Sequence, residues 1–411
     1  MNLALISVSA LTLAVLISCV SRLNVGVLSV ALAWIVGVYI GGLPVNTVMA
    51  GFPSQLFLTL AGVTLLFAMA QSNGTLGQLT HHAVRLCRGN AGTIPVMFFL
   101  LGAALASMGP GNIATAALLT PIAMATASRA GIPLFLMAIM VGNGANSGAL
   151  SPFAPTGIIV NGIMAKNQLP GLEMQAYLYN LGAHALMAFG GYALFGGLKL
   201  FTRERAVEVV DHEGQKAFTT KQWITLGVIA ALILSVIAFK AQVGLAAFLA
   251  AVLLVATGAA DDAEAIKLMP WRVIVMVCGV TVLIALVERF QGIDLMVSLV
   301  ARISSPGTVT FIVALLTGIV SVYSSTSGVV LPAFLPLVPG LAAQLPGASA
   351  VGIAMSMNIG GHLVDVSPLS TIGALCIASA GATDTRKLFN QLLAWGLSMA
   401  LIGAVFCYLA F

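Results

Sequence analysis

Charge is what this sequence has least of: Asp, Glu, Lys and Arg make up 7% of its 411 residues, against 60% hydrophobic. A soluble domain could not hide that much apolar surface, so the composition places the chain in the polytopic membrane class. A clustered basic face interleaved with aromatics is also missing. The net charge is only +5 and aromatics are 7%, which excludes nucleic acid as a partner. No Cys-x-x-Cys pair occurs. Cys19, Cys87, Cys278, Cys376 and Cys407 are scattered and read as small apolar packing residues rather than ligands or disulfides. The histidines lack ligand spacing, since His81 and His82 are adjacent and the others lie far apart, so no transition metal or resident cofactor is expected. Gly148-Ala149-Leu150-Ser151 is not a Gly-x-Ser-x-Gly elbow, His362-x-x-Asp365 is short and common, and no Ser/His/Asp set recurs. An enzyme is therefore not expected. Residues 2–20 lack a basic n-region and an Ala-x-Ala site, and are expected to be a retained helix.

What the chain does have is long apolar runs and two conspicuous interruptions. Residues 142–157 break a run (134–165) with small and polar residues, and residues 358–373 break another (348–380). Each break contains Ser-Pro followed by Gly five residues after the Pro: Ser151-Pro152 with Gly157, and Ser367-Pro368 with Gly373. In lipid an unpaired backbone group costs several kcal/mol, so such breaks persist only where protein buries them or they line a cavity. Paired interrupted helices in two halves point to a shared central binding site.

The remaining runs are 3–20, 25–41, 55–71, 92–107, 113–128 and 176–198, then 223–239, 243–259, 271–289, 308–323, 327–342 and 388–411. The second set repeats the first. Val25-Gly26 corresponds to Val243-Gly244 at an offset of 218, Pro53 to Pro270 and Gly62-Val63-Thr64 to Gly279-Val280-Thr281 at 217, and Pro121 to Pro336 at 215. So narrow an offset indicates internal duplication. The expected fold is all-α and polytopic, with a first repeat over 1–198, a linker over 199–221 and a second repeat over 222–411.

Residues 92–128 and 308–342 have arms of about 16 residues, ~24 Å at 1.5 Å per residue, short of the ~30 Å hydrocarbon core. They are expected to be re-entrant hairpins, with tips at residues 109–112 and 324–326. Each repeat then has five transmembrane helices, the fourth broken, plus one hairpin. Five crossings is odd, so the repeats have inverted topology. Charge agrees with this. With the linker inside, Arg22, Arg85, Arg88, Arg129, Lys199, Arg203, Arg205, Lys216, Lys221, Lys267, Arg272, Arg386 and Lys387 are cytoplasmic. Only Lys166, Lys240, Arg289 and Arg302 of the 17 Lys and Arg lie outside, as the positive-inside rule requires, and both termini are then outside. Two full crossings in place of a hairpin would keep the same parity.

Ser-Pro is a helix-start signal, because Ser caps free N–H groups and Pro at the first position loses nothing. Both Ser-Pro pairs are expected to restart a helix, with Asn112 capping the second arm of the first hairpin and Ser325 or Thr326 that of the second. Four helix N-termini at about +0.5 charge each sum to roughly +2, which suits a small dianion. No Lys or Arg falls in the breaks or tips. Candidate ligands are therefore the hydroxyls of Ser151, Thr156, Ser324, Ser325, Thr326, Ser367, Ser370 and Thr371, the amides of Asn112, Asn143, Asn146 and Asn358, and bound cations. Hydroxyls that bond their own helix are the competing reading. Asp365 is expected to be functional, as a cation ligand or proton carrier, or else to cap its loop. His362 either shares its proton or packs the loop, and His184 reads as structural.

Several stretches resemble MatC-type dicarboxylate (malonate) carriers, within the ion transporter superfamily that includes the divalent-anion/sodium symporters. They are residues 50–60, 70–75 and 83–86, Ser324-Ser325-Thr326, and Val364-Asp365-Val366-Ser367-Pro368-Leu369-Ser370-Thr371. The resemblance implies a homodimeric, elevator-type importer in the bacterial inner membrane. A scaffold would lie at the dimer interface and a transport domain would carry hairpins and breaks. It also implies that Gly111-Asn112-Ile113 and Ser324-Ser325-Thr326 stand where relatives place Ser-Asn-Thr for sodium and carboxylate. The first tip lacks both hydroxyls, so a sodium ion there would rely on backbone carbonyls. Substrate residues would be Asn112, Ser151, Thr156, Ser324, Ser325, Thr326, Ser367 and Thr371. Sodium ligands would come from Gly111, Asn112, Asn143, Asn146, Ser325, Thr326, Asn358 and Asp365. Against ~100 mV, bringing in a dianion costs ~4.6 kcal/mol, which two co-transported cations cancel. Sodium is the expected coupling ion, with the proton, and an exporter or antiporter on the same fold, as the alternatives.

Overall fold

The structure is a computed structural model that describes residues 2–21, 23–85, 90–202, 217–380 and 385–411. Arg22, Leu86, Cys87, Arg88, Arg203, Arg205 and Lys216, with most of the linker, lie outside the described residues. Every regular element among the described residues is a helix. Among the described residues five helices are long and apolar enough to cross a membrane: Ser54–Ser72, Gly111–Ala130, Trp271–Arg289, Thr326–Gln344 and Thr385–Ala410.

Local capping explains where the runs begin. Asn24 accepts from Gly26 N and starts Val25–Trp34, and its counterpart Gln242 accepts from Leu245 N and starts Val243–Ala256. Thr219 and Gln222 form a capping box that starts Thr220–Phe239. The element order repeats beyond the long runs. Short helices Val45–Met49 and Asp262–Leu268 occupy matching places, as do the amphipathic helices Thr75–Arg85 and Gly292–Arg302.

The halves exchange helices at two glycine crossings. A Cβ on Gly26 would stand 2.3 Å from Val275 O, and one on Gly279 would stand 2.2 Å from Gly26 O. In the mirror position, a Cβ on Gly62 would stand 2.3 Å from Gly244 O, and one on Gly244 would stand 2.5 Å from the Thr59 Cα. Small residues are what allow helix backbones this close in a membrane protein. Each half thus lends its second span to the third span of the other.

The hairpins differ from expectation in length. Their first arms, Thr93–Met108 (16 residues) and Val309–Tyr323 (15 residues), are as short as the sequence suggested. The second arms run further, over Gly111–Ala130 (20 residues) and Thr326–Gln344 (19 residues), because almost nothing at the tips is left non-helical. At 1.5 Å per residue they reach ~30 Å, so length alone does not stop them crossing.

Both broken helices are present: Leu134–Ser147 then Pro155–Lys166, and Ala350–Leu363 then Thr371–Ala378. The restart lies later than expected, at Pro155 and Thr371 rather than at Pro152 and Pro368. Ser151 and Ser367 sit within tight turns whose amides bond internally: Ser151 N to Gly148 O (3.1 Å), Ala154 N to Ser151 O (2.9 Å), Ser367 N to Val364 O (2.8 Å) and Ser370 N to Ser367 O (3.0 Å). Pro155 supplies the first-position proline, and Ser370 caps the other restart through Gly373 N. The shared glycine has a direct cause. A Cβ at Gly157 would lie 1.9 Å from Ser151 O, and one at Gly373 would lie 2.0 Å from Ser367 O, because each turn folds back onto the helix it starts.

Candidate functional site

The first tip is shaped by Gly109 and Gly111, whose φ values of 141° and 75° disfavour L side chains. Asn112 is not a cap, as the sequence had suggested. It lies inside the helix that Pro110 opens, so its side chain is free to reach sideways, and Nδ2 donates to Asn146 Oδ1 at 2.9 Å. The second tip caps as expected: Ser325 Oγ accepts from Gly328 N at 3.2 Å. Thr326 Oγ1 donates to Asp365 Oδ1 at 2.6 Å and also contacts Ser321 Oγ. Each tip is therefore tied to the break of its own half, by an amide pair in the first and by hydroxyl and carboxyl in the second.

These ties meet across the halves. Ala116 of the first hairpin, Ala145 of the first broken helix and Ile372 of the second form one buried cluster. Gly142 faces Val366 and Ile372. In front of the cluster is a cavity of about 440 Å³, lined by Asn112 and Ile113, by Ser324 to Ser327, by Asp365, and by Leu369 to Ile372. That volume falls within the range of small-molecule sites. Its floor is buried, with Asn112 at 7%, Thr326 at 3% and Asp365 at 9% exposure. Its rim is open, at Ser21, Leu23 and Arg272.

The structure divides the residues singled out from sequence. Asn112, Ser324, Ser325, Thr326, Asp365, Ser370 and Thr371 line the cavity, and Gly111 and Asn146 adjoin it through Asn112. Ser151, Thr156, Ser367, Asn143 and Asn358 do not line it. Ser151 Oγ donates to Ser107 O at 2.6 Å, and Asn143 Nδ2 donates to Ile139 O at 2.8 Å while its Oδ1 meets His184 Nδ1 at 2.9 Å. Asn358 Nδ2 faces Met164 Sδ, and His362 Nδ1 meets Asn358 O at 2.9 Å. Among the described residues, Asn146 Nδ2, Asn180 Oδ1, Asn358 Oδ1, and Nε2 of His184 and His362 have no protein partner. Buried atoms of this kind call for an unseen partner such as water or an ion.

Sequence reasoning missed Arg272. It counted as a loop cation, yet it lies in the first turn of Trp271–Arg289 and lines the cavity. Asn24 Nδ2 donates to its carbonyl at 2.9 Å, a contact between residues 248 apart that no local pattern reveals.

No curated protein sequence matches the chain. A solved structure described as the Alcanivorax borkumensis YdaH transporter, with an unusual topology, aligns with a TM-score of 0.59. The alignment covers 88% of this chain and 87% of that one at 17% identity, a likeness of fold. Residues 1–149 match the family model described as the dicarboxylate carrier protein MatC N-terminus. The matched family and the fold neighbour are transporters, not enzymes, and the family match extends as far as residue 149.

Proposed function

We propose that the protein is a secondary active transporter that imports a small dicarboxylate, malonate or a C4 acid, by sodium symport. The observation that carries this reading is the convergence of two hairpin tips from different halves, with the second break, on one cavity. The family match over the first 149 residues supports the substrate class. In this reading the carboxylates bind at Asn112, Ser324, Ser325, Thr326 and Thr371, with Ser151, Thr156 and Ser367 holding the turns behind them. Sodium is held at Gly111, Asn112 and Asn146 on one side and at Ser325, Thr326 and Asp365 on the other, and Asn143 and Asn358 support the broken helices.

The two halves act as inverted repeats over 1–198 and 222–411, joined by a cytoplasmic linker. The hairpins and broken helices move as an elevator against a scaffold built on the glycine crossings, and two copies pair through the scaffold. The cavity's open rim lies where the charge pattern puts the cytoplasm, so the state described is inward-facing.

The test is uptake of labelled malonate and succinate into proteoliposomes, with sodium and pH varied separately. Accumulation that follows an inward sodium gradient is the expected outcome. Asp365, a carboxyl buried at 9% exposure in the lining of the cavity, also favours a proton-coupled reading. That reading predicts sodium-independent uptake that a protonophore and Asp365→Asn both abolish. Vesicles that accumulate neither acid point to an exporter or antiporter and refute the proposal.

A further inference from the structure

The cavity has two unlike walls. One is made by the tips and the second break. The other comes from Asn24, Val25, Arg272, Val273 and Met276, at the start of two spans that cross at Gly26 and Gly279. Among the described residues Arg272 is the cation of this wall, and it stands at the exposed rim above the buried polar floor. It occupies the first turn of its helix, where the helix dipole disfavours a cation. An anion in the cavity would be attracted by both.

The internal repeat shows what stands at the matching place on the opposite face. Pro53 opens Ser54–Ser72 as Pro270 opens Trp271–Arg289, and both helices have 19 residues. At the offset of 217, Arg272 corresponds to Gln55 and Met276 to Thr59. The local hydrogen bonds correspond as well. Asn24 Nδ2 reaches Arg272 O, and Gln242 Nε2 reaches Thr59 Oγ1 at 2.9 Å, which in turn donates to Gln55 O at 2.9 Å. Gln55 is exposed, as Arg272 is. The second wall is thus built twice, once with a guanidinium and once with a neutral amide.

We propose that Arg272 is a one-sided carboxylate contact. It grips the dicarboxylate only while the site opens toward the face on which Arg272 lies, and Gln55 takes its place, without the charge, when the site opens to the other face. Arg is suited to this because its planar fork matches a carboxylate in a bidentate way that Lys cannot reproduce. One carboxylate would rest on the tips and the other would meet Arg272, so monocarboxylates lose the second contact. The inference rests on the dicarboxylate reading above and adds to it an unequal affinity on the two faces.

The test measures half-saturating succinate and malonate from each face, in right-side-out and inverted vesicles. Arg272→Gln is expected to raise the value roughly tenfold on its own face and to leave the other face within twofold. Arg272→Lys falls between. Gln55→Arg is expected to lower the value on the opposite face, a gain that a folding defect cannot mimic. Equal changes on both faces mark Arg272 as a partner of Asp365 or a structural residue, and overturn the inference. No change on either face also overturns it, while leaving the transport reading intact. Wild-type vesicles that take up neither acid refute the transport reading and this inference together.

Discussion

Replacing Thr326 with Val removes one hydroxyl and nearly nothing else. Thr326 is buried at 3% exposure, so the methyl that replaces Oγ1 stays in contact with protein. The bonds lost are the 2.6 Å donation to Asp365 Oδ1, the link that holds the second tip against the second break, and the contact with Ser321 Oγ within the same tip. A neutral hydrogen bond is worth about 1 kcal/mol net and one to a charged group about 1.5–3 kcal/mol. At 1.4 kcal/mol per tenfold, the half-saturating sodium concentration should rise about fivefold if the carboxyl is protonated, and about 10- to 150-fold if it is ionised. Sodium-driven uptake of succinate reads this directly, and Thr326→Ser should restore most of it. A shift under twofold in Thr326→Val would show that the tip does not bear on the cation site, and the reasoning would fail.

The first half should answer in kind but less strongly. Asn112→Ala removes the bond to Asn146 Oδ1 and should cost about 1 kcal/mol, a roughly fivefold weaker succinate affinity, measured by uptake at saturating sodium. Gly26→Ala and Gly244→Ala each force a Cβ to within 2.3 and 2.5 Å of backbone atoms. Each should lower stability by about 1–3 kcal/mol, read as similar drops in the melting temperature of the purified protein. Gly162→Ala meets nothing within 4 Å and should leave that temperature unchanged or slightly raised.

Much of this architecture is legible in the residue order because apolar helices announce themselves by composition, and chain breaks by the small and polar residues that interrupt them. The Ser-Pro and Gly pairing was visible as a motif. Its reason, a turn that brings Ser151 O or Ser367 O against the helix it starts, is a matter of backbone path. Capping signals misled at Asn112 and at both Ser-Pro pairs. Asn and Ser satisfy neighbouring amides in many local geometries, and which one they adopt depends on what lies across the turn.

By itself the sequence determined a helical protein with apolar runs fit for a membrane, two chain breaks and a lone acidic residue within the second. Those properties follow from the cost of unpaired or charged groups in lipid, which acts residue by residue along the chain. Only the tertiary structure decided that the two tips and the second break share a cavity while Ser151, Thr156, Ser367, Asn143 and Asn358 do not line it. It also decided that Arg272 belongs to that cavity. Contacts between residues such as Asn24 and Arg272, 248 positions apart, depend on how the halves cross at glycines, and no local pattern encodes that crossing.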